Sequence, residues 1–295
     1  MVVYSIKDIE EITGVKAHTL RIWEKRYDII KPERTKTNIR YYTEDHLKYI
    51  LCITLLNNNG FKISQIAEMS AEEIKENTSR LSNTEEHQED QMDVLTFAVI
   101  SMDDYAVNII LNKYIQDFGF EKTMDLLINP FLERLGALWV TGTIKSIHES
   151  FISEILRQRT AIEIQKLKQA DLSKPKIILY LGEDEKQELS MIFLLYILKS
   201  KGLNVTLVGF DLTIKDVLDA YHVLEPAYIY TIINQELKDH NLDSYINYLA
   251  KSIGNSKLIL SGFKIQSSSI DFPANCMEIN DMDSVIDYLT SESNA

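Results

Sequence analysis

The chain has 295 residues, 45% of them hydrophobic, two cysteines and a formal net charge of −13. Length and apolar content provide for more than one buried core and exclude a wholly disordered chain. Cys52 and Cys276 are too few and too far apart for a disulfide framework or a zinc cluster. No apolar run approaches the roughly 20 residues of a membrane span, and the opening residues lack the basic-then-apolar pattern of a signal peptide. A soluble, cytoplasmic protein with no membrane partner is expected.

The negative charge is unevenly placed. Residues 1–70 carry a net +2 and the remainder −15, and between Lys16 and Lys48 nine basic side chains face five acidic ones. A basic segment on an acidic chain marks a polyanion-binding module. Its first stretch, "YSIKDIEEITGVKAHTLRIWEKRY", predicts two short helices. Ser5 caps the first, with Ile9 and Ile12 inward, and Gly14 makes the turn. The second runs from about Ala17 to Tyr27, burying Leu20 and Trp23 and leaving Lys16, His18, Thr19, Arg21 and Arg26 for a partner. Two short helices joined by a glycine turn, the second one basic, have helix-turn-helix form. The following "KPERTKTNIRYYTEDHL" has the alternation and turn residues of a hairpin wing. It projects Arg34, Lys36 and Arg40 with Tyr41 and Tyr42 at its base, and Thr43 starts another helix. Arginine and tyrosine on a wing suit phosphate oxygens beside the groove that the second helix enters.

Ser70 to Met92 is polar and nearly free of large apolar residues. It opens on a capping box, Ser70 and Glu73, and then loses periodicity, which reads as a linker with a turn or two of helix, or as a solvated bridging helix. From Asp93 to Ala170 apolar residues recur at three- and four-residue spacing, with breaks near Asp103, Gly119 and Gly142; four helices and an antiparallel bundle are expected. After Pro175 the period changes. "KIILYLG", "NVTLVGF", "AYIYTIIN" and "KLILSGF" are short β-branched apolar runs alternating with helical patterns, and "CMEIN" adds a last strand. That pattern predicts a parallel sheet covered on both faces, with ligands beyond the carboxyl ends of its strands.

The first of these segments resembles the MerR family of transcription regulators: "TLRIWEKRY" matches the family's recognition-helix pattern and "RYYTEDHL" its wing-to-helix pattern. The resemblance covers about Tyr4 to Met69. It implies dimeric binding to double-stranded promoter DNA at a pseudo-palindromic operator, by Lys16, His18, Thr19, Arg21, Arg26, Tyr27, Arg34, Lys36, Arg40 and Tyr41. The family commonly joins its dimer through an antiparallel coiled coil, for which the polar 70–92 stretch is a poor zipper. A homodimer or higher homo-oligomer assembled through the later domains, or only upon DNA, is therefore expected. The whole fold reads as multidomain α and α/β: a winged helix-turn-helix over 1–70, a linker over 71–92, a four-helix bundle over 93–170, and a doubly wound, Rossmann-like parallel-sheet domain over 175–295.

That order of domains looks like the cobalamin-dependent photoreceptor branch of MerR regulators, the CarH and LitR type. The resemblance implies a bundle that caps adenosylcobalamin through a tryptophan, nine residues, then Glu-His. In "WVTGTIKSIHES", Trp139 and Glu149 keep that interval, but Ser150 follows, and Val140 stands where the photoreceptors carry an upper histidine. Trp139 and Glu149 have a simpler reading too, as bundle core and helix cap. The branch also implies a D-x-H-x-x-G-like loop after the first strand of the sheet domain, its histidine on cobalt. Aligning "GEDEKQELS" puts Gln187 at the histidine and Ser190 at the glycine. Further on, "YTIINQEL" is bulky where small residues make room for the nucleotide tail, and "LSGFKIQ" keeps Ser261 and Gly262 but continues with Phe263 and Lys264. A carboxamide has no imidazole lone pair to offer cobalt. The sequence thus predicts a vestigial cobalamin-like site at Trp139, Glu149, Gln187, Ser261 and Gly262, with no cofactor and no metal. The alternative is a genuine light-responsive repressor that holds adenosylcobalamin without a histidine.

Other chemistry is not written in the sequence. It has no Walker loop, no Gly-x-Gly-x-x-Gly after a strand, no HExxH and no nucleophile elbow, so an enzyme is not expected. The run Glu183, Asp184, Glu185 and Glu188 reads as a solvated acidic loop, with a cation or acid–base site as the sharper alternative. His148, next to Glu149, reads as half of a surface pair. Regulation is expected from an unknown small molecule, a protein effector or the assembly state.

Overall fold

The structure, a computed structural model, describes residues 3–35, 37–81, 88–140, 144–237 and 241–293. The chain divides into two compact units, Met1–Ile155 and Leu156–Ala295.

In the first unit, strand β1 (Val3–Tyr4) leads into helix α1 (Ile6–Thr13). Ser5 and Asp8 close the helix start reciprocally: Asp8 N–H donates to Ser5 Oγ (3.2 Å) and Ser5 N–H to the Asp8 carboxylate (2.6 Å). Gly14 ends it at φ +70°, a left-handed conformation suited to glycine, donating to the Glu10 carbonyl (2.9 Å). Helix α2 (Ala17–Tyr27) follows and buries Leu20 and Trp23. Strands β2 (Glu33–Arg34) and β3 (Arg40–Thr43) pair antiparallel, and β1 takes the other edge of β3. The hairpin is the expected wing; the two-residue β1 carries no periodicity and was not foreseen. Thr43 and His46 cap α3 (Glu44–Asn58), which leads to α4 (Ile63–Ile66).

The polar stretch read as a linker is helical over α5 (Ala71–Leu81), started by the Ser70–Glu73 capping box. Ala71, Ile74 and Thr78 recur at helical spacing, and Ile74 is 2% exposed where α5 lies on α3. One isoleucine on a narrow stripe gives little periodicity to read, which is why the sequence pattern suggested a linker. The bundle comprises α6 (Gln88–Ile100), α7 (Asp104–Phe118), α8 (Phe120–Thr123), a π turn at Met124–Ile128, α9 (Asn129–Val140) and α10 (Ser146–Lys166), which crosses the boundary between units. Asp103 caps α7 and Gly119 separates it from α8; the expected break at Gly142 lies outside the described residues. The third expected helix is therefore composite. Its π turn ends two residues before Pro130, which has no N–H to donate to the usual i→i−4 bond.

The second unit alternates strand and helix: β4 (Ile177–Gly182), α11 (Glu188–Ser200), β5 (Val205–Leu212), α12 (Ile214–Leu224), β6 (Tyr228–Ile232), α13 (Leu242–Ser252), β7 (Lys257–Ser261), α14 (Phe263–Gln266), β8 (Cys276–Glu278) and α15 (Met282–Glu292). All five strands are parallel, in the order β5-β4-β6-β7-β8. The pleat sends Ile177, Leu179 and Leu181 into a core with α11 and α15, and Ile178 and Tyr180 into a second core with α12 and α13. Burying each large apolar side chain there contributes about 1.5–3 kcal/mol. This is a doubly wound, Rossmann-like domain. Its chain goes from β4 to one side for β5 and to the other for β6, so the switch point that opens a ligand crevice lies at the carboxyl ends of β4 and β6.

Candidate nucleic-acid interface and ligand crevice

The reader is assembled from the α1–α2 turn outward. Glu10 reaches from α1 to accept the Ala17 N–H at the start of α2 (3.0 Å) and pairs with Lys16 (3.1 Å). These two contacts, the backbone bond first, hold the Glu10 carboxyl below the usual range. With the turn fixed, His18, Arg21, Ile22 and Lys25 lie along one exposed face of α2. Thr19 stands beside His18 (3.4 Å between side chains), and the Arg26 guanidinium lies over the Tyr27 ring (5.4 Å). Ile22 is 47% exposed. It and Lys25 were missed in the sequence, although the spacing from His18 and Arg21 places both on the partner face; an apolar side chain there suits a thymine methyl.

The wing differs from expectation in where its arginines point. Glu24 of α2 accepts Arg40 through both carboxylate oxygens (2.8 and 3.1 Å), and Arg34 as well (3.2 Å). Burial pushes the Glu24 carboxyl up, but the two guanidinium groups outweigh it and its pKa is lowered. Arg34 also donates to Asn38 (3.0 Å), and the Tyr41 hydroxyl donates to the Glu33 carboxylate. Arg40 and Arg34 thus brace the wing against α2. Lys36 lies outside the described residues.

In the second unit, the turns after β4, β6 and β7 are bonded to one another. Glu185 Oε1 accepts the N–H groups of Asn234 (2.8 Å) and Gln235 (3.0 Å). Asn234 Oδ1 in turn accepts the Phe263 N–H (2.6 Å), and the Ile233 carbonyl accepts that of Lys264 (3.2 Å). Gly262, at φ +118°, lies so close that an added Cβ would stand 2.4 Å from the Ile233 carbonyl oxygen. Ser261 is buried and its hydroxyl donates to the Ile279 carbonyl. Both residues therefore serve contacts within the sheet domain. Glu185 is 7% exposed, which corrects the reading of the acidic run as wholly solvated; Glu183, Asp184 and Glu188 do remain exposed. Gln187 sits at the start of α11, half-buried, its Oε1 enclosed and without a hydrogen-bond partner. Its amide nitrogen has no basic lone pair, and among the described residues no group of three or more His, Cys, Asp or Glu could hold a metal ion.

In the bundle, Trp139 is 55% exposed and so is not core, and Glu149 is exposed in the first turn of α10. His148 is buried, not half of a surface pair: its Nδ1 accepts the Lys145 N–H (3.2 Å) and completes the helix start.

Residues 4–73 match the model for the MerR HTH family regulatory protein. The chain is similar to the HTH-type transcriptional repressor CarH of Myxococcus xanthus, 24% identical over 233 residues that make up 77% of each chain. It is also similar to the repressor CarA of the same organism, 24% identical over 70% of this chain and 68% of that one. Among solved structures, the monomethylamine corrinoid protein of Methanosarcina barkeri aligns over 66% of this chain and 94% of that one, at 10% identity and a TM-score of 0.47. No helix among the described residues is long and apolar enough to cross a membrane. Residues 4–73 thus carry a MerR-type HTH head, and over most of its length the chain is similar to the CarH and CarA repressors.

Proposed function

We propose that the protein binds double-stranded promoter DNA as a transcription regulator, and that its C-terminal half serves oligomerisation or sensing without a protein ligand on cobalt. The outward face of α2 enters the major groove. His18, Thr19 and Arg21 read base edges or the adjacent phosphates, and Lys16, Arg26, Tyr27 and Tyr41 hold the flanking backbone. Arg34 and Arg40 act chiefly by holding the wing in place through Glu24, and Lys36 adds a phosphate contact. Like the family it resembles, the chain works as a homodimer or larger homo-oligomer.

The observation that carries the second half is Gln187, a carboxamide where cobalt would need a basic nitrogen. The turns knitted by Glu185 and Asn234 support it, because a corrin tail would have to part them. Protein incubated with adenosylcobalamin in the dark and then desalted is expected to show no corrin absorbance. Corrin that co-elutes would overturn the reading in favour of a cobalamin-dependent repressor that binds without a histidine. Promoter fragments selected by the chain from a random pool are expected to shift equally with and without the vitamin.

A further inference from the structure

Within the first unit, α3, α5, α6 and the start of α7 line a cleft of about 360 Å³, inside the size range of small-molecule sites. Its walls are Leu51 and Leu55 of α3, Ile74 of α5, and Val94 and Phe97 of α6, with the Cys52 thiol among them. Tyr49 joins them with its hydroxyl kept neutral, burial first and then the nearby Cys52 raising its pKa.

Three of the polar groups of the cleft are already engaged. The Thr78 hydroxyl donates to the Ile74 carbonyl (2.7 Å), Asp103 accepts the Ala106 N–H (2.9 Å), and Asp93 accepts the Arg134 guanidinium (2.7 Å). Asp45 and Lys48, of opposite charge, stand one turn apart at the rim. Deeper in the cleft, among Leu51, Leu55, Ile74 and Phe97, a charged occupant would lose its hydration with only apolar wall in return. A neutral apolar one would replace water held against an apolar wall, which favours binding.

Arg134, on α9, does more than neutralise Asp93. The same Nη2 donates to the Ile12 carbonyl (3.2 Å), one of the terminal carbonyls of α1 that lack a helical partner. One guanidinium therefore joins the wall of the cleft to the helix packed against α2. We propose that this cleft binds a small, neutral, largely apolar molecule, and that Arg134 carries its occupancy to α1 of the DNA reader. The binding site stands on the cleft alone. Its regulatory meaning rests on the DNA-binding reading above, so the test uses no DNA and the two can fail separately.

The full-length protein is titrated with N-phenyl-1-naphthylamine, a neutral apolar fluorophore. A saturable rise in fluorescence is expected, weakened about tenfold or more by filling the cleft with Ala106→Phe from α7, and likewise by Ala71→Leu from α5. Bound probe is expected to slow amide exchange over Ile6–Val15. Arg134→Lys, which keeps the charge beside Asp93 but loses the planar fork, is expected to retain probe binding and lose that slowing. Failure of the probe to bind, or equal binding by both filled variants, would overturn the site. A signal that falls as protein concentration rises would assign the cleft to a second copy of the chain and overturn it too. Unchanged exchange over α1 in the unsubstituted protein, or slowing that persists in Arg134→Lys, would overturn the link through Arg134.

Discussion

In the reader, Glu10 crosses from α1 to hold one backbone N–H at the head of α2, and its second contact is an exposed lysine. In the crevice, Glu185 crosses from the β4 turn to hold two backbone N–H groups at the end of β6, and is itself nearly sealed from water. Both glutamates satisfy backbone donors that a turn would otherwise leave unpaired. The outcome differs because of what surrounds them. Around Glu10 the basic side chains of α2 remain on the surface, available to a large polyanion. Around Glu185 one carboxylate oxygen and the Asn234 side chain tie three turns together, while Glu185 Oε2 and Gln187 Oε1 stay buried without a partner. One region presents its chemistry outward; the other uses part of it to hold turns.

The sharpest way to break that comparison is at Glu185. Glu185→Ala leaves the N–H groups of Asn234 and Gln235 without their acceptor and should cost about 2–4 kcal/mol, read as a lower urea midpoint with an unchanged slope. Gly262→Ala should add to the evidence, because its Cβ meets the Ile233 carbonyl and its φ is left-handed; a loss of about 1–3 kcal/mol is expected. If Glu185→Ala is as stable as the unsubstituted chain, the bonded turns are not what holds the crevice.

Next in size is Arg21→Ala, which should weaken specific operator binding by about 1–3 kcal/mol and relax sequence preference at one position, while thermal stability stays unchanged. Glu24→Gln then sharpens the account of the wing. If Arg34 and Arg40 act mainly as braces, removing the Glu24 charge loosens the wing and weakens binding by about 1 kcal/mol. If they act mainly on phosphates, freeing them strengthens it. A gel-shift titration at one salt concentration gives the sign.

Much of this was legible in the sequence, for reasons that separate by range. Ser5, Gly14 and Thr43 act within a few residues, so caps and turns could be read directly. The β-branched runs of the sheet domain announce buried parallel strands because both faces need apolar side chains. What could not be read depends on residues far apart in the chain. Glu24 meets Arg40 sixteen positions on, and nothing local distinguishes a bracing arginine from a phosphate contact. Glu185 lies in a run of acids whose other members are solvated, and only the return of the chain at Asn234, 49 residues later, buries it. The exposure of Trp139 was hidden in the same way, since an aromatic at helical spacing looks like core until the neighbouring helices are in place.

The smallest effect concerns Glu10, and it is one of pH. The Ala17 N–H, then Lys16, lower its carboxyl below the ordinary 4.5 in the folded reader. A depressed carboxyl gives stabilisation that is complete above the unfolded value and lost as pH falls through the folded one. The contribution should therefore be constant at neutral pH and fade only below about pH 4.5. Glu10→Gln keeps an acceptor for the Ala17 N–H but cannot titrate, so the stability gap between it and the unsubstituted chain should narrow on acidification. Trp23 is buried in the reader and Trp139 is exposed, so Trp139→Phe makes Trp23 the sole tryptophan, excited selectively over the tyrosines. In that background, melting curves of the two chains that stay parallel from pH 7 to pH 3 would remove Glu10 from the list of groups that hold the turn. Curves that converge would show that the α1–α2 turn is held in part by a titrating charge in contact with water.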